Sequence, residues 1–107
     1  MPIPVVPWPH DTAPTEAEIA RLLRAEGLQP STWSNGPGDR YAVHQHAYSK
    51  VLYCLQGSIH FTLPREGAEA GVDLGPGDRF ELPAETPHGA VVGPHGCRCI
   101  EAARWQR

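Results

Sequence analysis

Residues 38–57 read GDRYAVHQHAYSKVLYCLQG, and this stretch decides how the chain is read. Two runs between turn formers, Tyr41 to His46 and Val51 to Gln56, have the length and bounding residues of β-strands. Side chains two apart on a strand project from the same face, so His44 and His46 present both imidazoles to one side. Imidazoles placed in this way can converge on one ion at metal–nitrogen distances of about 2.0–2.1 Å.

Outward from this stretch the same punctuation continues. Asn35-Gly36-Pro37-Gly38, Gly57, the segment from Pro64 to Gly71, Gly75-Pro76-Gly77-Asp78, Pro83, Pro87 and Gly93-Pro94 separate short runs. Besides the two above, these are Ser31 to Trp33, Ser58 to Leu63, Val72 to Leu74, Arg79 to Leu82, Gly89 to Val92 and Cys97 to Ala102. In Ser58 to Leu63, Ile59, Phe61 and Leu63 alternate with polar partners, the pattern of a half-buried strand. About eight short strands at near-regular spacing predict an all-β sandwich or barrel and exclude a βαβ fold. The one helical signal lies near the N-terminus. Thr15 with Glu18 fits a capping box, Ile19, Leu22 and Leu23 make one apolar stripe, and Gly27 stops the helix, which places it over about 15–26. Leu28 then supplies the apolar contact that accompanies such an end, and Pro30 prevents resumption. The expected organisation is an arm and helix over 1–30 and a barrel over 31–107, forming one domain.

Eleven glycines and twelve prolines among 107 residues are about twice the usual share, yet 40% of residues are hydrophobic, so the chain is turn-rich and folded. A net charge of −3, with no cluster of basic residues, argues against a nucleic-acid partner. No run of about 18 apolar residues exists, which argues against a membrane span. Residues 1–9 hold four prolines and neither a basic nor an apolar region of the kind a signal peptide needs. The three cysteines are odd in number, and Cys97 and Cys99 are too close along one strand to bond each other, so a reducing, cytoplasmic location is expected. Small buried thiols are expected there rather than a redox pair.

A third histidine, His88, follows Pro83 and Pro87 at the start of another strand, where the turn can aim it at the pair. At this point the chain resembles the cupins, whose two short motifs flank a jelly-roll barrel. Gly38, five residues, His44-Gln45-His46, three residues, Lys50, six residues and Gly57 match every interval of the first motif, with Lys50 where the family has glutamate. Gly77, five residues, Pro83-Ala84-Glu85, two residues, His88, three residues and Val92 match the second, with Glu85 replacing glycine and Val92 replacing asparagine.

The resemblance implies a small jelly-roll barrel with His44, His46 and His88 as ligands of one divalent first-row transition metal, whether Fe, Zn, Ni or Mn. The family's fourth ligand is missing, because an ammonium at Lys50 has no lone pair to give. Lys50 is the chain's one lysine among nine Lys and Arg residues, which makes it a candidate catalytic or ligand-binding cation rather than a generic surface charge. An ammonium that snorkels to the barrel mouth or pairs with a carboxylate is the alternative. Tyr48 is a second candidate, able to offer its phenol to a substrate. Glu85 reads as a solvated turn residue, His60 and His95 as ordinary strand and loop residues, and Trp8, Trp33 and Trp105 as covers for a barrel mouth or an interface.

Two function classes follow. One is a metal-dependent enzyme acting on a small anionic molecule, either dioxygenase-like or a lyase or isomerase that stabilises an enolate. The other is a non-catalytic module that holds a small molecule or metal. Val51, Tyr53 and Leu55 alternate with the inward face, and an apolar outer face predicts a homodimer.

Overall fold

The computed structural model describes residues 3–67 and 70–105; residues 68 and 69 of the expected Pro64–Gly71 connection, and the two residues at each end of the chain, lie outside it. Among the described residues one α-helix, α1 (Glu16–Ala25), precedes six strands: β1 (Ser31–Asn35), β2 (Arg40–His44), β3 (Ser49–Thr62), β4 (Gly71–Leu74), β5 (Arg79–Leu82) and β6 (His88–Arg104), with a single 3-10 turn (Pro64–Glu66) between β3 and β4. No helix among the described residues is long and apolar enough to cross a membrane.

The eight expected runs become six strands because two pairs of runs are continuous. β3 spans Gly57 and β6 spans Gly93-Pro94, and the two lie antiparallel along most of their length, from Ser49 opposite Arg104 to Thr62 opposite Gly89. The register shifts between Cys54 and Ile59. On one side of the shift, β1 and β5 flank the pair, through Trp33 opposite Cys99 and Leu52 opposite Phe80. Beyond it, β2 and β4 flank the same two strands, through Tyr41 opposite Ala90 and Phe61 opposite Val72. Each long strand therefore serves two four-stranded layers and turns the corner between them, the jelly-roll architecture expected. Glycine is required at that corner. Gly57 has φ +73°, and a Cβ there would stand 1.9 Å from the carbonyl oxygen of Gly96.

Alternation along the strands sorts the side chains. Leu52, Cys54, Ile59, Phe61, Leu74, Phe80, Leu82, Val92 and Cys99 face inward and form the core between the layers. Cys54, Cys97 and Cys99 are buried free thiols in that core, and the thiol of Cys99 is pushed up by its contact with Cys54 and by burial. This agrees with a packing role.

Val51, Tyr53, Leu55, Ile100 and Ala102 face outward, and there the expectation changes. They are buried against Ile19, Leu23 and Leu28, so α1 covers the apolar face that had suggested a second copy of the chain. A homodimer has no basis in that face. Thr15 caps α1 with the full capping box, its side chain accepting from the Glu18 N–H while the Glu18 carboxylate accepts from Thr15. The stripe is narrower than predicted: Ile19 and Leu23 are buried, whereas Leu22 is 40% exposed beside the N-terminal arm. Ion pairs fix both ends of the helix to the sheet. Arg98 reaches Glu16 at 2.8 Å, and Glu26 receives Arg79 and Arg104, the latter at 2.7 Å. The arm continues the edge of β5, where Val6 exchanges backbone hydrogen bonds of 2.7 and 2.9 Å with Arg79.

Candidate metal centre

His44 ends β2 and sits opposite His88, the first residue of β6. His46 lies off the strand, since β2 stops at His44, two residues short of the predicted end. Its position is held from elsewhere: the Glu85 N–H donates to the His46 carbonyl at 2.7 Å, and the Gln45 amide donates to the Glu85 carboxylate at 2.9 Å. Glu85 thus clasps the loop that carries His46 to the turn that leads into His88. It does so at φ +63°, in the left-handed region where the cupin motif has glycine.

The three imidazoles come together. One ring nitrogen from each of His44, His46 and His88 lies within 4.8 Å of the other two, and the ring centroids are 4.4 to 5.3 Å apart. The backbone fixes two of the tautomers. His44 Nδ1 lies 2.8 Å from the Ala42 carbonyl and His88 Nδ1 lies 2.9 Å from that of Thr86. A carbonyl only accepts, so each Nδ1 carries a proton, and in the neutral ring the lone pair then lies on Nε2. Among the described residues, the Nε2 atoms of His46 and His88 are buried and find no hydrogen-bond partner. Burial, with the neighbouring cations, holds both of these histidines below the ordinary imidazole range and keeps them neutral, as ligands must be. Three convergent imidazoles, two of them neutral and with buried Nε2 atoms unsatisfied among the described residues, are a donor set that suits a divalent first-row ion.

A cavity of about 190 Å³ opens beside these rings, lined by Trp33, Tyr41, His44, Lys50, Phe61, His88, Ala90 and Glu101. It has room for a ligand of about one ring, since an apolar cavity of about 150 Å³ accommodates benzene. A larger hollow of about 520 Å³ lies between the arm and α1 near Arg79, but that guanidinium is already engaged by Glu26 and Tyr53. Lys50 is buried at 9% exposure and faces the smaller cavity, where its Nζ stands 3.6 Å from Glu101 Oε1. The carboxylate-paired alternative for Lys50 is therefore the observed one, inside the pocket rather than at its rim. Tyr48 does not line the cavity. It stacks on His46 at 4.9 Å and touches Trp105 at 5.0 Å, behind the histidines.

Sequence reasoning missed Glu101. Its side chain accepts from Trp33 Nε1 and pairs with Lys50, and the signal was available: Cys97, Cys99 and Glu101 share one face of β6 by simple alternation.

No protein-family model matches the sequence. The chain is 39% identical over 84 residues to quercetin 2,3-dioxygenase of Bacillus subtilis (strain 168), a match that takes in 77% of this chain and 24% of that protein. The structure of the polyketide cyclase RemF from Streptomyces resistomycificus superposes with a TM-score of 0.63 at 30% identity, covering 75% of this chain and 56% of the cyclase. An RmlC-like cupin from Shewanella frigidimarina gives a TM-score of 0.61 at 29% identity over 75% of this chain and 68% of that one. The chain thus spans about a quarter of the dioxygenase and little more than half of the cyclase. Two four-stranded layers sharing their long strands, both histidine motifs in register, and these likenesses in sequence and structure place the chain in the cupin superfamily.

Proposed function

We propose that the chain is the metal-bearing barrel of an enzyme that converts a small anionic or enolisable molecule at a three-histidine centre. The reaction is either dioxygenase-like or one that proceeds through a stabilised enolate. The observation that carries this reading is the set of converging imidazoles, two of them with buried Nε2 atoms that no group among the described residues satisfies. A divalent ion held by His44, His46 and His88 would supply Lewis acidity and open positions for a substrate oxygen. The chain's own residues do the rest. Phe61 and Trp33 wall the cavity and limit the size of what enters. Lys50 and Glu101 cancel in formal charge, so the ion's charge is left uncompensated and favours an anion. Tyr48 braces the His46 ring from behind and is assigned to positioning rather than to contact with substrate. The likeness to a quercetin 2,3-dioxygenase and to a polyketide cyclase supports an enzyme that acts on a small molecule.

The test begins with elemental analysis of protein made without a histidine tag. About one divalent ion per chain is expected, and His46→Ala should lose most of it by leaving two ligands. Equal metal content in both proteins refutes the site. Oxygen uptake by the Fe(II) form with catechols, enols and thiols then separates the dioxygenase from the enolate chemistry. A metal-loaded protein inert in every assay is the binding module.

A further inference from the structure

Among the described residues that line the cavity there is one carboxylate, and the way it is held suggests a task. Glu101 Oε1 accepts from the Trp33 indole N–H and forms an ion pair with the Lys50 ammonium at 3.6 Å. Oε2 has no hydrogen bond among the described residues, and the side chain keeps 20% exposure into the cavity that His44 and His88 also line. One oxygen is anchored and the other is free, which is the arrangement of a base that must meet a substrate in a fixed orientation. Glu101 is not part of the group of ligand atoms within 4.8 Å of one another, so it stands beside the centre rather than completing it.

We propose that Glu101 is the catalytic base of this site, taking a proton from an enolisable carbonyl substrate, with Lys50 as its partner. The inference rests on the metal-centre reading above. In the step, a C–H bond next to the substrate carbonyl breaks, the proton joins Glu101 Oε2, and the electron pair moves into the substrate as an enolate. Negative charge passes from Glu101 to the substrate oxygen. Lys50, adjacent to the first and facing the same cavity, compensates it in both places. The motif position that carries a carboxylate in the cupins carries Lys50 here, and the neighbouring strand β6 returns a carboxylate to the pocket from position 101.

The test uses the Zn-loaded protein with two probes: pyruvate, whose methyl protons exchange with D₂O only through its enol, and oxalate, a dianion of similar shape. Proton NMR should show methyl exchange above a Zn blank in wild type. In Glu101→Gln it should fall about 100-fold or more, the lower range of general-base catalysis, and Glu101→Asp should recover part of the loss. Zinc content should be equal in all three. Calorimetry with oxalate gives a readout independent of turnover: Glu101→Gln, which removes a negative charge from the cavity, should bind more tightly, and Lys50→Met more weakly. Exchange in Glu101→Gln equal to wild type, absence of exchange in a wild type that binds oxalate, or unchanged oxalate affinity in both variants overturns the assignment of Glu101 and leaves the metal centre standing. Loss of zinc in Glu101→Gln overturns it by making Glu101 a ligand. Failure of wild type to bind zinc or oxalate overturns the site itself.

Discussion

Replacing Lys50 by glutamate restores the family residue at that position but sets two carboxylates against each other in a pocket. With the Lys50 ammonium 3.6 Å from Glu101 Oε1 and both side chains largely buried, the attraction is about 4 to 5 kcal/mol at an effective dielectric near 20. Lys50→Glu turns this into a repulsion of similar size. Protonation limits the damage, because neutralising one carboxyl at pH 7 costs about 3 to 4 kcal/mol. The desolvation cost of the buried Lys50 ammonium disappears with it and offsets much of the lost attraction, so the metal-free variant should lose about 4 kcal/mol net, the usual cost of breaking a buried ion pair by removing one partner. For a domain of this size that is a fall in Tm of about 15 to 30 °C. A divalent ion at His44, His46 and His88 reverses the sign, since the new carboxylate can then join it. Thermal unfolding followed by circular dichroism, in chelator and in excess zinc, should show a large deficit in the first condition and a greater zinc-induced gain for the variant than for wild type. A variant that melts within a few degrees of wild type in chelator would show that Lys50 and Glu101 do not share a pocket. An equal gain from zinc in the two proteins would show that position 50 does not reach the ion.

Three further outcomes test the scaffold. Leu23, fully buried between α1 and the outer face of the sheet, should cost about 2 to 5 kcal/mol when cut to alanine, and a loss below 1 kcal/mol in urea unfolding would mean that the helix is not docked there. Gly57→Ala should cost about 2 kcal/mol or more, from the left-handed backbone and the collision with Gly96; denaturation midpoints unchanged from wild type would contradict the tight corner. Arg79, followed by Arg104, holds the Glu26 carboxyl down to about 2 from an ordinary 4.5. A carboxyl depressed by folding contributes stability that is present above pH 4.5 and lost as the pH falls toward 2. Solvent screening reduces that contribution to about 1 kcal/mol, so Glu26→Gln should cost this much at pH 7 and flatten the acid limb of the stability curve; identical acid limbs would remove the pair from the account.

The strand pattern and the histidine trio were legible because both follow from spacing alone. Period-two alternation needs no knowledge of neighbours, and the intervals from Gly38 to Gly57 and from Gly77 to Val92 are short-range facts. What escaped depends on partners far along the chain. Gly57 reads as a turn in isolation, yet it bends a strand that continues, because Gly96 on β6 allows the backbones to close at that point. The apolar face of Val51, Tyr53 and Leu55 reads as an interface until Ile19 and Leu23 are seen to lie on it. Glu85 reads as a solvated turn residue, and only the fold brings Gln45 and the His46 carbonyl to it. Glu101 was visible in principle, but an acidic residue between Ile100 and Ala102 draws no attention until Lys50 faces it.

Because β3 and β6 each belong to both layers, the two layers share their central pairing. Their pairing joins Ser49 to Arg104 and Thr62 to Gly89, contacts between segments far apart in sequence. Chains dominated by such contacts fold slowly, on the scale of about milliseconds to seconds. His88 and Glu101 both lie on β6, so any intermediate that lacks this strand lacks the third imidazole and the pocket carboxylate together. An ion that needs the complete trio cannot be held by such an intermediate, so it favours the finished barrel over every state that lacks β6.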